Sequence, residues 1–218
     1  MLSIDAQLKQ HCATLQIACV QGAVAVSKSS DPLVQLLHAR AAELSGRLKA
    51  SEILSHADIT ATREAYKSLG KDPSRYRGSA EALLRRVTSG KALYFINNLV
   101  DINNLLSLES FLPVGSYDLA RITGDIVFRI GKSGESYKGI GKDLINIADL
   151  PVFADSDGPF GSPTSDSERA MITSSTRQFA MMMTSFAGKA DLRVPAERAI
   201  ELLANHANGR DLSFEVIV

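Results

Sequence analysis

The chain has 218 residues, 45% of them hydrophobic, and its 24 basic and 24 acidic side chains cancel to a formal net charge of zero. A chain this long buries roughly 70% of its unfolded surface without disulfide or metal staples, and the composition excludes a disordered tail. No run reaches the ~18 apolar residues of a membrane span, the first ten residues lack a signal-peptide core, and neutrality excludes an indiscriminate grip on nucleic acid.

Leu15 to Ser27 is rich in Val, Ile and Ala and is broken by Gly22, which predicts a buried strand with a turn or bulge. Ser30, Asp31 and Pro32 supply an N-cap and a first-turn proline for a helix with Leu33, Leu36, Leu37, Leu44 and Leu48 on one stripe. A second helix is predicted over Asp58 to Leu69 with Gly70 as its stop, and a third opens at Ser79 and ends near Gly90. Leu93 to Leu108 is amphipathic and carries four asparagines. Pro113 to Val152 reads as strands punctuated by glycine, and Asp155 to Ser167 as a polar loop long enough to carry function. Thr173 to Phe186 fits a helix or a strand, with Met181, Met182 and Met183 as core on either reading. Pro195 to Asn208 is an amphipathic helix closed by Gly209, and Leu212 to Val218 a last strand. The alternation lacks βαβ periodicity and internal repeats, so an α+β fold is expected. It is a mixed layered α/β domain over residues 1–218 with a largely β core flanked by helices. Residues 1–54 give its N-terminal strand and helix, and 187–218 its C-terminal helix and strand.

Cys12 and Cys19 are expected on or near one strand as reduced thiols, which fits a cytoplasmic protein. His11, His38, His56 and His206 show no metal-ligand spacing, so no metal is expected. A phosphate loop ending at Gly141-Lys142 fails because Ser136 stands where glycine is needed. A nucleophile elbow at Gly131 fails at Glu135, and a calcium loop around Asp155 would place Phe153 and Thr164 at carboxylate positions. No cofactor is expected. Trp is absent and aromatics make up 6%, so no stacking platform for single strands is read from composition.

Charge is unevenly placed. Arg63 to Lys91 holds eight basic and three acidic residues, whereas Asp143 to Glu168 holds six acidic and no basic ones. Solvated faces explain such blocks, and so does a phosphate-contacting patch on the basic side. Ile96 to Asp118 (INNLVDINNLLSLESFLPVGSYD) sets Asn97, Asn98, Asp101, Asn103 and Asn104 inside an apolar stretch. Each costs ~1–3 kcal/mol if buried unpaired, so these groups are exposed, paired locally or lining a polar pocket.

This segment resembles the tRNA-editing domain of the phenylalanyl-tRNA synthetase β subunit. Asn98 to Asn104 follows its N-x-V-D-x-T-N pattern, and Leu112 to Asp118 its Pro-x-His-Ala-Phe-Asp turn. Gly124 to Arg129 looks like its Gly-x-Ile-x-x-Arg strand. Tyr66 to Pro73, Tyr76 to Arg86, and Asp166 to Arg169 with Thr173 and Thr176 look like free-standing relatives of that domain. The similarity runs over residues 66–186. It implies the fold of that domain, tRNA or aminoacyl-tRNA as partner, no DNA or membrane partner, and cofactor-free hydrolysis of a mischarged ester in trans. By the resemblance, Asn103, Asn104 and Asp101 would be catalytic. Asn98, Gly115, Tyr117, Asp118, Asp166, Glu168, Arg169, Thr176 and Met182 would surround the amino-acid moiety, and Arg75, Arg77, Arg85 and Arg86 would meet RNA phosphates. The family's threonine is Asn103 here, its histidine falls on Gly115 and its tyrosine-reading glutamate near Met182. That departure removes the partners of a phenolic hydroxyl. The other function left open is a non-catalytic module binding an amino acid or tRNA.

Overall fold

The computed structural model describes residues 1–188 and 191–218; residues 189 and 190, inside the expected C-terminal segment, lie outside the described residues. The chain opens with strand β1 (Leu2–Ile4) and helix α1 (Ala6–His11), capped by the Asp5 carboxylate. Six residues are too few to write an apolar stripe, which is why neither element has a clear signal in the sequence. Cys12 closes α1 and Cys19 sits within strand β2 (Gln16–Ala23), so the two thiols do not share a strand; both are buried. Gly22 stands where the last strand bulges, and a Cβ there would meet the Arg210 carbonyl oxygen at 2.8 Å.

Helix α2 (Asp31–Arg47) has Ser30 at its N-cap and buries Leu33, Leu37 and Leu44, but Leu36 is exposed, so the stripe is narrower than predicted. Helices α3 (Ala57–Ser68) and α4 (Ser79–Thr88) end before Gly70 and Gly90, whose φ values of +78° and +71° suit glycine. Helix α5 (Asn98–Ser110) starts five residues inside the predicted amphipathic span, because the Asn97 side chain accepts the Val100 N–H at 2.9 Å and fixes the first turn there. Strands β3 (Val114–Asp118), β4 (Ile126–Ile130), β5 (Ser136–Lys138), β6 (Leu144–Asn146) and β7 (Pro151–Asp155) follow. The expected Asp155–Ser167 loop is instead partly a hairpin, since β8 (Gly158–Gly161) turns back on β7. The helix-or-strand segment is strand β9 (Gln178–Ser185), followed by α6 (Arg193–His206) and β10 (Arg210–Ile217).

The fold is α+β. Two four-stranded sheets form, in the orders β1-β4-β7-β8 and β10-β2-β9-β3, with β5-β6 as a separate ribbon. Side chains alternate across the second sheet. Ala18, Val20, Val114, Met181 and Met183 pack against α2, α4, α5 and α6, while Ile17, Cys19, Tyr117 and Met182 pack against Phe128, Phe153 and Phe160 of the first sheet. No helix among the described residues is long and apolar enough to cross a membrane.

Candidate functional site

Helix α5 lies on the helical side of the sheet, and its polar groups are tied to neighbours. Asn98 Nδ2 donates to the Ala25 and His206 carbonyl oxygens at 2.9 and 3.0 Å, and its Oδ1 accepts the Ser27 N–H at 3.0 Å. It thus joins the segment after β2 to the end of α6. Asp101 accepts from the Ser29 hydroxyl at 2.5 Å and from the Ile96 N–H at 3.1 Å, and burial pushes its carboxyl up despite those bonds. Asn103 Oδ1 accepts the Ser116 hydroxyl at 2.8 Å. Each pairing avoids the cost of a buried unmatched polar group. Asn104 is half-buried, and its side chain makes no hydrogen bond among the described residues.

Gly115 and Tyr117 point the other way, toward the first sheet. Gly115 pairs directly with Met182 across β3 and β9, and Met182 with Cys19 across β9 and β2. The Tyr117 ring lies edge-on to Phe160 with centroids 4.9 Å apart, and its hydroxyl donates to Asp166 Oδ1 at 2.8 Å. A Cβ on Gly115 would come within 2.9 Å of that hydroxyl and 3.4 Å of Asp166 Oδ2, and one on Gly161 would overlap the ring. Two glycines therefore make room for one tyrosine. The expected site residues are split by the sheet: Asn98, Asp101, Asn103 and Asp118 lie on the helical side, and Gly115, Tyr117, Met182 and Asp166 on the other.

Asp166 is the carboxyl group of this second set. Burial pushes its carboxyl up to about 6, against the opposing hydrogen bonds from Tyr117 and the Ser162 N–H. Its Oδ2 makes no hydrogen bond among the described residues, and the residue is partly exposed. Around it, Tyr66 donates to or accepts from the Thr164 hydroxyl at 2.7 Å, and Tyr137 donates to the Ser165 carbonyl oxygen at 2.5 Å. Burial holds all three phenols protonated, above their ordinary value.

The remaining expected residues serve the frame. Arg169 clasps Asp155 with bonds of 2.8 and 3.0 Å and also donates to the Gly158 and Arg121 carbonyl oxygens. Burial opposes ionisation of Asp155, but Arg169 and backbone N–H groups outweigh it and hold its carboxyl low. Thr176 donates to Asp118 Oδ2 at 2.7 Å, and Glu168 pairs with Lys138 at 3.0 Å. These contacts engage the named polar atoms of Asp118, Arg169 and Thr176 within the frame.

Arg77, just before α4, and Arg85 on it do not stand free. With Arg63 they converge on Glu81 at 3.3, 2.8 and 3.1 Å, and Glu81 is 2% exposed. Three guanidinium groups around one carboxylate leave a net cationic surface. Arg86 Nε donates to the Ala92 carbonyl oxygen at 2.6 Å, and Arg75 lies 5.7 Å from the Tyr76 ring centroid.

Tyr66 and Tyr137 belong to the Asp166 environment without a sequence signal as site residues, whereas Gly161 lies in the polar loop expected to carry function. The two tyrosines are isolated aromatics in the sequence. Two open clefts lie elsewhere. One, of about 370 Å³, runs between α5 and α6 past Leu106, Leu112, Val194 and Arg198, and the other, of about 490 Å³, lies beside Cys12, Glu64 and Ser68. Among the described residues no group of three or more His, Cys, Asp or Glu side chains is placed to hold a metal.

The family model of the B3/4 domain matches residues 61–206. The phenylalanine–tRNA ligase beta subunit of Paramagnetospirillum magneticum is 35% identical over 65 residues, covering 29% of this chain and 8% of that subunit. A solved N-terminal fragment of the phenylalanyl-tRNA synthetase beta subunit from Pyrococcus horikoshii aligns with 100% of this chain at a TM-score of 0.49 and 14% identity. The chain spans 50% of that fragment, so both relatives are much longer than the part they share with it. The family model takes in Asn98 to Asn104, the Gly115–Met182 pair and Asp166 within one continuous match, and the chain belongs to the B3/4 domain family.

Proposed function

We propose that this chain binds aminoacyl-tRNA, with the amino-acid moiety at the niche beside Gly115 and the RNA against the cationic side of α4. The observation that carries the reading is the meeting of Gly115 and Asp166 around the Tyr117 hydroxyl within a B3/4 domain. Tyr117 occupies Oδ1 of Asp166, so Oδ2 is the atom available to a bound molecule. An ionised Oδ2 suits the α-ammonium group that every aminoacyl ester carries. Nothing at 115 or 182 can pair a phenolic hydroxyl, so tyrosine is not the preferred moiety.

A second reading, hydrolysis of the ester, is favoured by one observation. A carboxyl pushed up to about 6 is a base matched to neutral pH and could take a proton from an attacking water. The bonds already made to Asn103 Oδ1 and to the Asp101 carboxyl weigh against these two residues in that chemistry.

The experiment is a panel of aminoacyl-tRNAs presented to the wild-type chain and to Asp166→Asn, reading retention on a filter and loss of the aminoacyl label. Retention that Asp166→Asn weakens supports the binding reading, and label loss above background that the same substitution abolishes supports hydrolysis. If no aminoacyl-tRNA is retained better than its uncharged form, the binding reading is refuted.

A further inference from the structure

We propose that Tyr94 and Phe95, backed by Arg86, form a stacking platform for the unpaired bases of a single-stranded RNA segment. The proposal deepens the aminoacyl-tRNA reading and rests on it for the identity of the RNA. Tyr94, Phe95 and Ile96 are 68, 40 and 66% exposed, in a stretch between α4 and α5 that belongs to no helix or strand. Three consecutive exposed large apolar residues work against solubility unless something covers them.

The stretch is pinned at both ends. Arg86 Nε donates to the Ala92 carbonyl oxygen at 2.6 Å before the aromatics, and the Ile96 N–H donates to the buried Asp101 carboxylate at 3.1 Å after them. The Arg86 guanidinium lies over the Tyr94 ring, 3.9 Å from its centroid, and Phe95 leans on His38 of α2 with centroids 5.3 Å apart. One side of Tyr94 is thus covered by a cation while the residue as a whole stays open to solvent. The terminal nitrogens of Arg86 make no hydrogen bond among the described residues, so they are available to a phosphate next to a stacked base.

Charge selects the occupant. Between Arg85 and Ile96 the sequence has three basic residues and no acidic one, which suits a polyanion that also offers flat apolar faces. Base faces are covered in a duplex, so the fitting ligand is an unpaired strand such as the end of a tRNA. The low aromatic content of the chain does not argue against this, since the platform needs two rings in one place.

The chain has no tryptophan, so Tyr94→Trp gives a single reporter at the platform. Titration with a 12-nucleotide single-stranded RNA is expected to quench its emission, and a blunt RNA duplex of equal length to leave it unchanged. In filter binding, Tyr94→Ala/Phe95→Ala should weaken single-strand and tRNA affinity roughly five- to a hundredfold with an unaltered melting temperature, since both rings are exposed. If tRNA binds the wild type and the double variant equally, the platform is refuted and the aminoacyl-tRNA reading stands. If single strands bind and quench but tRNA does not, the platform holds and that reading falls. If no RNA binds the wild type, or the double variant instead abolishes self-association of the chain, the RNA assignment of this patch is overturned.

Discussion

Replacing Asp166 by Asn should stabilise the protein at neutral pH and change little in acid. The carboxyl is pushed up from 3.8 to about 6. At 1.36 kcal/mol per pH unit, holding it ionised in the fold costs about 3 kcal/mol, an upper figure because Asp166 is partly open to water. Below pH 4 the group is protonated in both the folded and unfolded chain and imposes no cost. Between pH 4 and 6 the unfolded chain releases its proton first, so the folded state binds more protons and stability falls as pH rises. Above 6 the full cost is present. The Asn side chain keeps an acceptor for the Tyr117 hydroxyl and never ionises, so the variant lacks this slope. Urea denaturation of both proteins at pH 4 and pH 7.5 reads the difference, and other titrating groups cancel in the comparison. A variant no more stable than wild type at pH 7.5, or a difference that does not shrink toward pH 4, would refute the reasoning. A gain would also mean that the chain keeps an ionisable group at a stability cost, which is the mark of a functional position.

Tyr117→Phe removes the donor that lowers the Asp166 carboxyl, so its titration should move further upward, read by carboxyl carbon chemical shifts, with a stability loss of about 1.5–3 kcal/mol. Glu81→Gln leaves Arg63, Arg77 and Arg85 crowded without their shared carboxylate. Because the arginines are partly exposed and can rehydrate, the loss in urea denaturation should be about 2–3 kcal/mol, below the range for a fully buried pair.

Much of the layering was legible in the sequence because the signals are local. Gly70 and Gly90 stop their helices by adopting positive φ, and the alternating Ile126, Phe128 and Ile130 mark β4. The site was less legible. Asn98, Asp101 and Asn103 are polar residues in an apolar run, and pocket lining or internal pairing fits that pattern equally. The pairing partners are the carbonyl oxygens of Ala25 and His206, the Ser29 and Ser116 hydroxyls and the Ile96 N–H, all set by tertiary placement. Gly115 and Met182 lie far apart in sequence, and only the strand register brings them opposite one another. The exposure of Tyr94 and Phe95 depends on where α5 begins, which Asn97 decides through a single capping bond.

The two departures at β3 are physically one change. The editing-domain pattern has His where this chain has Gly115 and Phe where it has Tyr117. A Cβ at 115 would stand 2.9 Å from the Tyr117 hydroxyl oxygen and 3.3 Å from the ring carbon bearing it, so a side chain at 115 and a hydroxyl at 117 compete for one space. Removing the hydroxyl removes the closer contact and leaves one that small adjustments absorb. Gly115→Ala alone should therefore destabilise by about 1–3 kcal/mol through overpacking, while in a Tyr117→Phe background it should cost markedly less. The double-mutant cycle should give a coupling energy of about 1 kcal/mol or more, the range for residues in contact. Additive losses in urea denaturation would mean that the hydroxyl can move aside freely, and Asp166 Oδ2 would then not be held toward the niche by Tyr117. Strong coupling would mean that a side chain at 115 and the Tyr117 hydroxyl that holds Asp166 exclude one another, so the carboxylate keeps its place only while residue 115 carries no side chain.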